Sequence, residues 1–301
     1  MSDAPLSFSH LFSPVTLGST QLRNRIVFTA HHTHLSGESP NERLAAYYEA
    51  RAKGGAGLII VEVAGVHSSA RFASHMIMAT DDSCIPGYRD IARRCHAHDC
   101  AVFGQLFHPG RETRGKIDGI TPVAFGPSAL PGERHHVMPR ALSGRMVRDI
   151  VLGHASAAGR MRAAGLDGVE ILASHGYLLS QFLSPRINRR TDQYGGSFEN
   201  RLRIVREILL SVREQIGDLT LGIRLSAAAL TPEGADEQEM RDVCLALDED
   251  GVLDYFSLVL GSSSTLGGST HIVPPMEHEA AYVLSTTSPV KSAVFKPVIV
   301  T

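Results

Sequence analysis

The chain reads as a series of short apolar runs, each followed by a polar turn and then a stretch whose apolar residues recur at helical spacing. The runs are Arg25–Thr29, Leu58–Val63 (LIIVEV), Ala101–Leu106 (AVFGQL), Gly168–Leu172 (GVEIL), Thr220–Leu225 (TLGIRL), Tyr255–Leu260 (YFSLVL) and Val298–Thr301 (VIVT). Between them NERLAAYYEARAKGG, IPGYRDIARRCHAHD, MVRDIVLGHASAAGRMRAAG, ENRLRIVREILLSVREQIG and DEQEMRDVCLALDEDG predict helices, several of them closed by glycine. Strand and helix alternating in this way imply a parallel sheet. Strands that are apolar throughout imply burial on both faces. A doubly wound sheet and a TIM (β/α)8 barrel both satisfy this. The barrel is favoured, because no G-x-G-x-x-G turn follows the first strand and polar residues recur at the ends of many different strands.

Seven runs are one short of the eight that close such a barrel, and the last stops at Thr301, where a strand should open into its loop. A barrel lacking its final unit would expose a sheet edge and part of its core. The expectation is therefore a single barrel over residues 1–301, cut before its last βα unit. The long irregular connection from Phe107 to about Arg145 is rich in Pro, Gly and His and is expected to cap the mouth.

Composition narrows the partners. With 43% apolar residues and a net charge of −2, nothing in the composition suggests a disordered tail or a nucleic-acid surface, so a small molecule is the expected partner. The N-terminus lacks a basic start and an apolar h-region, and no apolar run approaches the roughly 20 residues that span a bilayer. No membrane contact and a cytoplasmic location are expected. The four cysteines, Cys84, Cys95, Cys100 and Cys244, show no C-x-x-C spacing, so they are read as reduced structural thiols rather than zinc or iron–sulfur ligands.

The residues able to do chemistry gather at the predicted strand ends: Thr29 with His31 and His32, Glu62 and Val63, Gln105 with His108, His175 and Tyr177, Arg224, and Ser257. An amide, a cation, imidazoles and a phenol converging on one mouth suit a planar, hydrogen-bonding cofactor better than a hydrolytic metal. Adjacent histidines on an extended segment point to opposite sides, so no metal is assigned to His31 and His32. Arg224 has two readings. It either pairs with a carboxylate such as Glu62 or Glu170, or it is a cation set against the electron-accepting end of a cofactor.

At HLFSPVTLGSTQLRNRIVF, KGGAGLIIVE, GQLFHPGR, AGLDGVEILASHGYLLSQFLSPRINRRTDQYGGSFENRLR and LGIRLS the chain resembles the old yellow enzyme family of flavin-dependent oxidoreductases. The branch it resembles most contains dienoyl-CoA reductases, trimethylamine dehydrogenase and N-demethylases of methylated amino acids. The resemblance implies FMN, with Gln105 and Arg224 at the polar edge of the flavin ring and Thr29, Ala30, His31 and Val63 lining it. It implies that His175 and Tyr177 are catalytic and that His32, Leu172 and Phe256 border the substrate. Leu172 stands where relatives carry the first polar arm of a substrate clamp, and His32 where some carry a flavin-linked cysteine. In a longer form the resemblance would add a 4Fe-4S cluster and FAD or NAD(P)H.

Three functions follow as expectations. The first is oxidative N-demethylation of a methylated amine or amino acid. The second is an NAD(P)H-dependent ene or 2,4-dienoyl-CoA reductase, with Tyr177 as proton donor. The third is a non-catalytic barrel fragment. Nothing in the sequence decides whether the chain forms a homo-oligomer.

Overall fold

The computed structural model describes residues 8–113, 119 and 122–301. All seven apolar runs are strands: β1 (Val27–Phe28), β2 (Leu58–Gly65), β3 (Ala101–Phe107), β4 (Gly168–Ala173), β5 (Thr220–Ala228), β6 (Tyr255–Leu260) and β7 (Val298–Val300). They pair in parallel and in chain order, so the sheet curls into a nearly closed barrel with β1 and β7 as its edges. A two-residue strand, Ile77–Met78, extends the sheet at the end of β2.

Six long helices coat the barrel: α1 (Glu42–Lys53), α2 (Ile85–His96), α3 (Gly144–Ala164), α4 (Phe198–Ile216), α5 (Glu237–Glu249) and α6 (Leu284–Ala293). The first five match the helical periodicity. Their starts are chemically marked: Asn41, Ser143, Ser197 and Asp236 accept from backbone N–H groups of the first turn, and Asp236 completes a capping box with Glu239. Helix α6 was not expected, since its Ser/Thr-rich sequence carries Pro289 inside it and has little apolar periodicity.

The barrel interior is built in layers. At the N-terminal end, Leu58, Ile60, Phe103 and Tyr255 fill the floor. Two glycines make room for the rings. A Cβ on Gly168 would lie 2.7 Å from the Phe103 ring, and one on Gly222 2.1 Å from that of Tyr255. An N-terminal hairpin, Val15–Leu17 with Thr20–Leu22, presses Leu17 and Leu22 into this layer from below and so plugs the barrel. It is tied down by Thr220, whose hydroxyl donates to Leu17 O at 2.8 Å and lies 2.7 Å from that of Thr20. A cleft of about 410 Å³ separates the edges, lined by Val27 and residues 298–301.

The connection from Phe107 to Arg145 forms a 3-10 turn, Gly110–Glu112, and a short parallel ladder between Phe125–Gly126 and Arg140–Ala141. It reaches across to neighbouring loops. Arg111 pairs with Glu233 after β5 at 2.6 Å, and the Arg134 N–H donates to Ser264 O after β6 at 3.0 Å.

Candidate active site

Above the floor the inward positions change from carbon to polar. One step along each strand from Phe103, Gly168, Gly222 and Tyr255 stand Gln105, Glu170, Arg224 and Ser257, because the strand period of two keeps them on the same face. All four are buried. Glu170 occupies the centre: it accepts from Gln105 Nε2 at 2.6 Å and from the Tyr255 phenol at 2.9 Å. Burial raises its pKa, against the opposing pull of Arg224 and of these donors. Arg224 donates to Ser257 Oγ at 3.0 Å and Thr301 Oγ1 at 2.6 Å. Burial lowers its pKa, opposed by the Glu170 charge. A guanidinium remains cationic nonetheless. Among the described residues its Nε has no acceptor although it is buried, which is costly unless a hydrogen-bonding partner belongs there.

Of the two carboxylates considered for Arg224, Glu170 lies within electrostatic reach without an ion pair among the described residues, and Glu62 is engaged elsewhere. A bulge between Val61 and Ala64 shifts the parity of β2, so that Glu62 accepts from Thr33 N–H (2.8 Å) and Ser36 Oγ (3.1 Å) and holds the segment after β1. The same bulge brings Val63 inward. It packs with Leu172 and Tyr177 in an apolar wall that also contains Phe72, Met76, Met78 and Phe107. Phe72, Phe107 and Tyr177 meet edge to face, with centroids 5.2–6.3 Å apart.

His175 borders this wall, its ring 6.1 Å from that of Tyr177. Burial, reinforced by the positive charge of Arg224, pushes its pKa down to about 3, so the imidazole is neutral at ordinary pH. His32 stands at the outer end of the wall, 5.5 Å from Phe72, with Nε2 at 2.6 Å from His75 O. Thr29 and Ala30 lie half-buried after β1.

Two expected site residues are elsewhere. Phe256 points out of the barrel into the layer between sheet and helices, because Tyr255 and Ser257 take the inward positions on β6; it is not in the substrate pocket. His31 turns toward α1, where Nε2 lies 2.6 Å from the Tyr47 hydroxyl and the ring packs on Phe28. His108 is buried behind the wall, bonded to Ser69 at 2.9 Å, with a pKa pushed down to about 3. No group of three described His, Cys, Asp or Glu residues could hold a metal ion. A cavity of about 630 Å³ opens at the opposite, N-terminal face beside Thr20, Arg23 and Asp167, where this architecture places stability rather than chemistry.

Glu170, Tyr255 and Phe72 were missed as site residues. A glutamate inside an otherwise apolar strand, two positions before Leu172, was the available signal for the first.

Fold and site together define a parallel α/β barrel with a buried layer of polar, cation-bearing side chains on the inner face of its strands. The chain belongs to the NADH:flavin oxidoreductase / NADH oxidase family, whose model matches residues 10–259. It is 33% identical to N,N-dimethylglycine/sarcosine dehydrogenase of Chromohalobacter salexigens over 301 residues, covering 98% of this chain and 43% of that protein. It is 38% identical to NADH oxidase of Thermoanaerobacter brockii over 250 residues, covering 81% and 38%. The structure of a 2-naphthoyl-CoA reductase complex superposes with a TM-score of 0.88 at 25% identity over 97% of this chain and 46% of that one. An old yellow enzyme homologue from Zymomonas mobilis shares the fold, with a TM-score of 0.81 at 24% identity over 97% and 81%. The chain thus spans less than half the length of these curated relatives. Among the described residues no helix is long and apolar enough to cross a membrane.

Proposed function

We propose that the protein is an FMN-dependent oxidoreductase acting by oxidative N-demethylation on a methylated amine or amino acid. The residues fit the cofactor: the unsatisfied Nε of Arg224 suits the acceptor atoms of a flavin edge, and Gln105, held by Glu170 on the strand between them, offers an amide. Thr29, Ala30 and Val63 would line the ring. FMN, when bound, accepts two electrons as a hydride equivalent from the N-methyl carbon, and the resulting iminium hydrolyses to formaldehyde and the demethylated amine.

The observation that carries this reading is the composition of the substrate wall. Val63, Phe72, Phe107, Leu172 and Tyr177 present carbon and a phenol, with one neutral imidazole, His175, at their border. Such a wall excludes water and takes a methyl group. A two-point clamp on a carbonyl would need a second polar arm, and Leu172 supplies none. His175 gives the substrate one hydrogen bond, and Arg224 favours negative charge in the slot. The name of the Chromohalobacter relative supports the same reaction class.

Ene reduction with NAD(P)H is the second reading, favoured by the phenol of Tyr177 beside His175 and by the name of the Thermoanaerobacter relative. Anaerobic mixing of the FMN-loaded protein separates the two. Bleaching of the flavin band by dimethylglycine or N-methylproline is expected. Bleaching by NADPH alone, with recovery on adding an enone, would refute demethylation.

A further inference from the structure

His175 stands on backbone that most side chains avoid: its φ is +62°, and Gly176 follows at +76°. A left-handed non-glycine residue costs about 1 kcal/mol or more and persists where its surroundings dictate it. Here two other strands do so. The His175 N–H donates to Ser226 Oγ on β5 at 3.0 Å, and Ser226 passes its own hydrogen to Gly261 O at 2.9 Å. The His175 carbonyl accepts from the N–H and from the hydroxyl of Ser263, both at 2.8 Å. Gly176 permits the approach, since a Cβ there would lie 2.2 Å from Ser262 Oγ.

The ring is fixed as firmly as the backbone. Ser174 Oγ lies 2.8 Å from His175 Nδ1. Ser174 is fully buried, and a buried hydroxyl hydrogen without an acceptor costs roughly 1–3 kcal/mol. Among the described residues Nδ1 is the acceptor this hydroxyl has, so Ser174 donates, Nδ1 accepts, and the ring hydrogen sits on Nε2.

We propose that Ser174, Ser226 and Ser263 are positioning residues that hold His175 in a single orientation and tautomer, so that it presents an Nε2–H donor to the substrate. The substrate atom facing it must then be an acceptor. Resting on the demethylase reading, this selects an N-methylated amino acid over a simple amine, because the carboxylate oxygen supplies an acceptor apart from the reacting nitrogen, whereas the one lone pair of an alkylamine is consumed in forming the iminium.

Long-range proton–nitrogen correlation on histidine-labelled protein, with the His175→Gln spectrum identifying the resonance, reads the tautomer without FMN. The expected pattern is Nε2–H in the native chain, a mixture of tautomers in Ser174→Ala, and recovery in Ser174→Thr. An Nδ1–H native ring, or a Ser174→Ala pattern identical to the native one, would overturn the assignment. In the FMN-loaded protein, Ser174→Ala and Ser263→Ala should raise KM for dimethylglycine about tenfold, one hydrogen bond's worth, and leave KM for trimethylamine unchanged. Equal rises for both substrates would also overturn it. Failure of every amine to reduce the flavin would sink the demethylase reading and its choice of amino acid, while the tautomer remains decided by the spectrum.

Discussion

Arg224 shows most directly how one side chain sets the character of the site. On the proposed reading the partnerless Nε of Arg224 serves the cofactor, so Arg224→Met should weaken FMN binding by roughly 10–100-fold, the cost of one or two charge-assisted hydrogen bonds. Quenching of flavin fluorescence on titration measures it, and unchanged affinity would remove Arg224 from the cofactor's edge. The buried histidines make a second prediction. His108 and His154 have pKa values lowered from 6.5 to about 3 and about 4, because burial disfavours their cations. Below about pH 6.5 the unfolded chain takes up protons that the folded one refuses, so stability is flat above that pH and falls below it. Urea titrations should show a loss of roughly 2 kcal/mol per histidine at pH 5 relative to pH 7.5. Gln105 and Arg224 were legible in the sequence because each is a lone polar residue in an apolar strand. The outward turns of Phe256 and His31 were not, since residue type alone does not tell which face of a buried strand a side chain takes.

At the scale of elements, parity decides function. Gly222 on β5 leaves space for the Tyr255 ring, and the Tyr255 phenol in turn donates to Glu170, which holds Gln105. Gly222→Ala should therefore cost about 1–3 kcal/mol in thermal or chemical unfolding and weaken FMN binding together with stability. Loss of stability with unaltered cofactor affinity would show the floor and the slot to be independent. The bulge in β2 works in the opposite sense, turning Glu62 to the segment after β1 and Val63 to the apolar wall. LIIVEV reads as an unbroken strand, and nothing in those six letters announces the extra residue. The strands and five capped helices were readable because their periods and end signals agree, whereas α6, with Pro289 and hydroxyl residues, has neither.

For the whole molecule, the arrangement of strands sets a gradient of rigidity. β3, β4 and β5 have neighbours on both sides, while β1 and β7 border the cleft and have one each among the described residues. Amide hydrogen exchange should be at least ~100-fold faster at Val27–Phe28 and Val298–Val300 than at Leu221–Leu225. Uniform protection across all seven strands would contradict an open edge. The count of seven was visible in the sequence, and the curl was favoured over a doubly wound sheet by the missing G-x-G-x-x-G turn and the polar residues at many strand ends. The plug beneath the barrel went unread, because VTLGSTQL is too short to stand out from a loop.

That plug has a temporal consequence. Thr20 meets Thr220 across 200 positions of chain, so the ribosome releases the stopper long before its seat. At roughly 5–20 residues per second the wait is roughly 10–40 s, during which Leu17 and Leu22 stay wet or lean on a chaperone. Sealing of the cylinder's base is thus a late event in its biogenesis, and a hairpin made before every strand of the barrel is among the last pieces to come to rest.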